Sequence, residues 1–173
     1  MTYASRTLRI TTAMTAAMVF VLSAGGCSTN SENNRSVGQV LNANSPDGHP
    51  LRQIQAEAAP TLTLKLSKDS GSGWNLHLIT EDFVFAPEKT GSPAQAGEGH
   101  AHLYLDGKKV ARVYGPWFHL PAETVSEGKH TLSVSLSAND HTVWAVNKKA
   151  ITAEIDITGG VSDSNVQPHD HKH

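Results

Sequence analysis

Between Pro60 and Thr158 apolar and polar residues alternate with a period of two, as they do in β-strands that bury one face. Leu62, Leu64 and Leu66 share one face of a first strand, with Thr61, Thr63 and Lys65 on the other. In the next, Trp74, Leu76 and Leu78 oppose Asn75 and His77. Ala101, Leu103 and Leu105 then oppose His100, His102 and Tyr104, and Asp106-Gly107 follows as a hairpin turn with Lys109 to Tyr114 as the return strand. Leu132, Val134 and Leu136 face away from Thr131, Ser133 and Ser135, while Ile151, Ala153, Ile155 and Ile157 face away from Thr152, Glu154 and Asp156. Val143 to Val146 supplies a short strand before an Asn147-Lys148 turn. No segment of helical period competes. About seven short strands, with turns roughly every 8 to 12 residues, predict an all-β fold, an immunoglobulin-like antiparallel β-sandwich. Phe83, Phe85, Trp117, Phe118 and Trp144 are the expected aromatic fill of its core.

The flanks read differently. Arg6 and Arg9 precede an uncharged stretch from Ile10 to Leu22 and then small residues up to Cys27, the three regions of a secretory signal. The apolar stretch is shorter than the roughly 20 residues of a permanent membrane-spanning helix. Ala24-Gly25-Gly26-Cys27 resembles the bacterial lipobox, with Ala24 where Leu is usual, and implies removal of residues 1–26 and acylation of Cys27, as by palmitate. Cys27 is the single cysteine, so it has no disulfide partner within the chain. Residues 27–59, rich in Ser, Thr, Asn and Gln, predict a flexible tether, residues 60–158 the folded domain, and residues 159–173 a disordered tail carrying His169, His171 and His173. The expected location is the cell envelope, anchored by lipid to the cell membrane or outer membrane and facing the periplasm or exterior.

Loss of Arg6 and Arg9 leaves 12 of the 14 basic residues against 16 acidic ones, a formal charge of −4 from Cys27 onward, which excludes a nucleic-acid binder. All three methionines, Met1, Met14 and Met18, lie in the signal. An acylated mature chain therefore offers no sulfur ligand, and blue-copper, copper(I)-thioether and iron–sulfur chemistry are excluded. All ten histidines remain, and imidazole suits zinc or copper(II).

His100 and His102 are the leading candidates for metal ligation. Alternation puts them on one face of their strand, about 7 Å apart at Cα, a spacing from which two imidazoles can converge on one ion. Ala101, Leu103 and Leu105 claim the opposite face for the core. His119 and His141, beside turns or strand ends, are the expected further ligands, and Glu98 and Asp140 are carboxylates that could ligate or orient an imidazole. His130 is set aside because its parity matches Leu132, Val134 and Leu136. For His49 and His77 a hydrogen-bonded structural role is the expectation. The tract from His169 to His173 could scavenge metal or be simply solvated.

The Gly-His-x-His-Leu-x-x-Asp-Gly strand (Gly99 to Gly107), the Gly-Lys-His-Thr-Leu strand (Gly128 to Leu132) and the following Asn139-Asp140-His141 resemble uncharacterised secreted bacterial β-sandwich domains. The resemblance covers roughly Trp74 to Val146 and carries over His100, His102, His130 and His141, with no activity attached. Periplasmic copper-resistance sandwiches are similar in architecture and location, but their N-terminal His or Met-rich segments have no counterpart here. The nucleophile elbow, the His-Glu-x-x-His motif and the phosphate loop are all absent from the sequence, so an enzyme is not expected. The sequence thus predicts a lipoprotein that binds copper or zinc through His100, His102, His119 and His141, in metal handling or delivery, and whose partners include the membrane, the ion and another envelope protein. The alternative is a non-enzymatic interaction or adhesion module with structural histidines, to which the segment from Tyr114 to Phe118 would contribute if it faces solvent.

Overall fold

Twelve strands form among residues 36–160, the part of the chain that the computed structural model describes. Cys27, the expected signal of residues 1–26 and His169, His171 and His173 lie outside these residues. In chain order the strands are β1 (Gln39–Asn44), β2 (Pro50–Gln53), β3 (Thr61–Lys68), β4 (Trp74–Glu81), β5 (Val84–Phe85) and β6 (Glu98–Leu105). They continue as β7 (Lys108–Val113), β8 (Trp117–Leu120), β9 (Gly128–Ser137), β10 (Val143–Val146), β11 (Lys149–Ala150) and β12 (Thr152–Gly159). Helix among the described residues amounts to three short 3-10 turns.

The strands form an all-β sandwich. A nine-stranded sheet runs β1-β2-β10-β9-β6-β5, with β7 added on β6, β12 on β9 and β11 on β10, and a three-stranded sheet runs β3-β4-β8. Most pairings are antiparallel, but β2 runs parallel to β10 and β5 parallel to β6. The alternation along the chain sets what lies between the sheets. Leu64, Leu76, Leu78 and Leu120 from the small sheet meet Ala101, Leu103, Leu132, Val134 and Leu136 from the large one. Each fully buried leucine stabilises the fold by about 1.5–3 kcal/mol relative to an exposed one.

Two expectations need correction. Phe83 and Trp144 are buried, and Phe85 and Phe118 pack against the same core, but Trp117 is 60% exposed. Trp117 alternates with Phe118, so once Phe118 and Leu120 point inward Trp117 and His119 must point out. The second correction concerns the tether. Residues 39–53 form β1 and β2, and β2 joins the large sheet through Val143↔Leu51, Trp144↔Arg52 and Ala145↔Gln53. Leu51 is buried with Val143 and Ala145 in a small apolar cluster of its own. Arg52 fastens this segment to the turn after β9, donating from Nε to Thr142 Oγ1 at 2.8 Å and from Nη2 to Asp140 Oδ2 at 2.7 Å. The folded part of the chain therefore begins well before Pro60.

This early segment changes the character of the large sheet. Strand β6 is buried along both of its faces, with only its end residues partly open. Ala101 and Leu103 point into the sandwich, while His100, His102 and Tyr104 point the other way together with Ser135 and Ser137 of β9.

Candidate metal centre

Backbone geometry brings the histidines of β6 against the neighbouring strand. Gly99 has φ 152°, and a Cβ there would fall 1.8 Å from the carbonyl oxygen of Ser137, so only glycine lets β9 pass this close. His100 then pairs with Ser137 and His102 with Ser135, and both imidazoles are fully buried. Their Nε2 atoms lie 3.1 Å apart. Without an ion that contact is a hydrogen bond between one protonated and one bare nitrogen. Two imidazole nitrogens each about 2.0–2.1 Å from one ion are separated by about 2.9 Å at a right angle and about 3.4 Å at the tetrahedral angle. The observed spacing lies between these.

Two further histidines close over the pair. His141 sits in the tight turn after β9, where Ala138 N–H donates to Thr142 O and His141 N–H to Ala138 O, and its φ of 67° is left-handed. Its ring centroid is 4.8 Å from that of His100 and 6.1 Å from that of His102, and its Nδ1 faces Asn139 O at 3.4 Å. His49 follows the Ser45-Pro46-Asp47-Gly48 turn between β1 and β2, and its ring lies 5.2 Å from His102 and 5.9 Å from His141. Asp47 comes with it. The Asp47 Oδ2 atom is 3.5 Å from His49 Nε2 and 3.4 Å from His102 Nδ1. Asp47, His49 and His102 offer ligand atoms that all lie within 4.8 Å of one another and could hold a metal ion.

Lys109, on β7, already points into that triad. Its Nζ lies 3.3 Å from Asp47 Oδ2, 3.2 Å from His49 Nε2 and 3.4 Å from His102 Nδ1. Tyr104 donates to Asp47 Oδ2 at 2.7 Å, and Ser45 donates to Oδ1 at 2.6 Å.

The electrostatics follow from burial. Desolvation, aided by the neighbouring cations and imidazoles, pushes His100 down to about 4 and His102 down to about 3. Burial also lowers His49, although Asp47 pulls it back upward. Burial raises Asp47, but hydrogen bonds from Ser45, Tyr104 and Lys109 outweigh it and hold the carboxyl far below its usual range. Burial raises the Tyr104 phenol. At neutral pH the His100 and His102 rings are therefore neutral and keep the lone pairs that a metal requires. Several buried atoms around them have no hydrogen-bond partner in the protein: His100 Nδ1, Ser137 Oγ, and both ends of the Asn139 amide.

Three of the four histidines expected to ligate, His100, His102 and His141, are brought together, and His119 is not. It is exposed on β8 in the other sheet, beside Asn75, with His119 Nδ1 and Asn75 Oδ1 3.3 Å apart. The expected carboxylates are engaged elsewhere, Glu98 with Lys89 Nζ at 2.7 Å and Asp140 with Arg52 and Thr142. His130 faces Asp106 Oδ2 at 2.6 Å and Ser126, seven positions along β9 from the partner of His100. The Asp106 hydrogen bond raises its pKa. His77 stacks on Trp117 at 3.9 Å. Asp47 and His49 were the residues that sequence reasoning missed, although Ser45-Pro46-Asp47-Gly48 carries a turn signal that could have marked their segment as structured.

Comparison of the chain with protein-family models, with curated proteins and with solved structures finds no match in any of the three.

Proposed function

We propose that the domain binds one divalent transition-metal ion, copper(II) or zinc, at the buried histidines, with His100 and His102 as the central ligands. The observation that carries this reading is the pair of buried, neutral imidazoles whose Nε2 atoms stand 3.1 Å apart, a separation suited to two ligands of one ion. His141 is the expected third ligand, its ring centroid standing 4.8 Å from that of His100 and 6.1 Å from that of His102. Asp47 stands where a carboxylate orients a ligating imidazole, behind His102 on the Nδ1 side. The partly exposed His49 and His141 mark the side from which an ion would approach.

The envelope location belongs to the same proposal. Acylation at Cys27 would hold the domain at a membrane, where a metal carrier would meet its source and its recipient. This part is supported by the sequence from Arg6 to Cys27 alone.

The test is metal stoichiometry by elemental analysis in a chain whose His169, His171 and His173 are changed to Ala. One equivalent of copper(II) or zinc is expected, and the double change His100→Ala and His102→Ala should remove it while the β-type circular dichroism persists. Equal binding by the two proteins would return these histidines to a structural role. A second reading, an interaction module, is favoured by one observation: Trp117 and Tyr114 are 60% and 40% exposed, side chains that commonly anchor protein interfaces.

A further inference from the structure

The Lys109 ammonium has three N–H donors and no acceptor, and three acceptors surround it at 3.2–3.4 Å, one each from Asp47, His49 and His102. They belong to the same three residues that form the candidate ion triad. A chain of proton positions follows. His102 Nδ1 lies 3.4 Å from Lys109 Nζ, which can only donate, and equally 3.4 Å from Asp47 Oδ2 and the Tyr104 hydroxyl, which could accept its hydrogen; the lysine contact is a hydrogen bond only if Nδ1 is bare. A neutral His102 then carries its hydrogen on Nε2, which donates to His100 Nε2 at 3.1 Å. His100 must accept there, so its own hydrogen lies on Nδ1, the atom that is buried without a partner. With the lysine bond made, Lys109 sets both tautomers, and His102 then has no lone pair on the side facing His100.

We propose that Lys109 is an intramolecular cation that occupies the Asp47–His49–His102 cage and must leave His102 before an external ion can bind. The exclusion holds at either nitrogen of His102. An ion at Nδ1 would replace the ammonium directly, and its positive charge would repel it at this range. An ion at Nε2 needs the hydrogen moved to Nδ1, where it meets the Asp47 carboxylate at 3.4 Å as an acceptor but meets Lys109 as a second donor. Lys109 therefore sets the affinity of the site by competition, and Asp47 is the partner that takes over His102 when the lysine withdraws. The metal half of the inference rests on the function proposed above, whereas the tautomer half does not.

The experiment compares the chain with its Lys109→Met variant, both with His169, His171 and His173 changed to Ala, using zinc and cobalt(II) alone as probes. In metal-free protein, imidazole 15N shifts should show the His102 hydrogen on Nε2, moving to Nδ1 in Lys109→Met. Competition with a chromophoric chelator should show zinc bound at least tenfold more tightly by the variant. A His102 hydrogen on Nδ1 before the substitution, or equal or weaker zinc binding by a folded Lys109→Met, would overturn the inference. If binding is unchanged by Lys109→Met but lost in the His100→Ala, His102→Ala protein, only the role of Lys109 falls. If neither protein binds zinc or cobalt(II), the metal reading and the competition both fall.

Discussion

Acidification of the metal-free protein offers a test of the buried histidine pair that does not depend on any ion. Burial holds His100 down to about 4 and His102 down to about 3, while in the unfolded chain each returns to about 6.5. The sign is that of a depressed group: the folded and unfolded states are equally neutral above pH 6.5, and stability is lost as pH falls, because only the unfolded chain takes up protons. At pH 5 an unfolded imidazole is almost wholly protonated and the folded pair is not, which costs about 2 kcal/mol per ring and about 4 kcal/mol for both. The result is insensitive to the folded value, since even a folded pKa near 5 leaves about 1.6 kcal/mol per ring. His49, lowered by burial, acts in the same direction, whereas His130, raised by Asp106, opposes it. Against a total stability of about 5–15 kcal/mol, such a loss is large. Urea unfolding followed by the fluorescence of buried Trp74 and Trp144, with chelator present at pH 8, 7, 6 and 5, measures it. The His102→Gln variant should lose about half as much stability over the same range. A loss below about 1 kcal/mol in the parent protein, or an equal loss in His102→Gln, would refute the placement of two neutral imidazoles inside the fold.

Three further outcomes are expected. His119→Ala should leave zinc or copper(II) stoichiometry and affinity unchanged, measured by elemental analysis and chelator competition, because His119 lies in the other sheet beside Asn75. Gly99→Ala should destabilise the domain by more than about 4 kcal/mol or prevent folding, read by the urea midpoint, since its Cβ would collide with backbone that cannot move without breaking the β6–β9 pairing. Cys27→Ser should move the exported chain from the membrane pellet to the soluble fraction. Unchanged membrane association would remove the lipid anchor from the proposed function.

The period-two pattern carried far because each strand of the sandwich core has one apolar face, and a one-residue slip would expose it. Leu64, Leu76, Leu78, Ala101, Leu103, Leu132, Val134 and Leu136 all face the core that the alternation assigns them. The Asp106-Gly107 turn is equally local, and its two positive φ angles, 49° and 78°, match the residues present. Alternation gives a face, however, and not a sheet. The sequence marks His119 only by its position near a strand end, and the segment from Trp117 to Leu120 pairs with β4, a choice that nothing within four residues records. His130 shows the converse limit. It shares the parity of Leu132, but at the strand end it meets Asp106 and Ser126 rather than the core.

The site itself was half legible for a related reason. Parity put His100 and His102 on the face away from the sandwich core, and a strand with one polar face ordinarily leaves that face in water. Here it is sealed, because Gln39 to Gln53 folds back onto the large sheet, led by the parallel pairing of β2 with β10 and the Arg52 contacts to Asp140 and Thr142. Those contacts join residues about ninety positions apart, and the strand that makes them is short, with a single buried apolar residue, Leu51. Once the face is covered, its polar groups must find partners or be left unpaired at about 1–3 kcal/mol each. Tyr104 and His102 are satisfied by Asp47 and Lys109, which arrive on the covering turn and the return strand. His100 Nδ1 and the Asn139 amide are left without partners. Two fully buried imidazoles, one with an unpartnered nitrogen, are a costly way to fill a purely structural layer when apolar residues would pack there without penalty, and that cost is what supports the proposal of a bound ion over a merely structural role for His100 and His102.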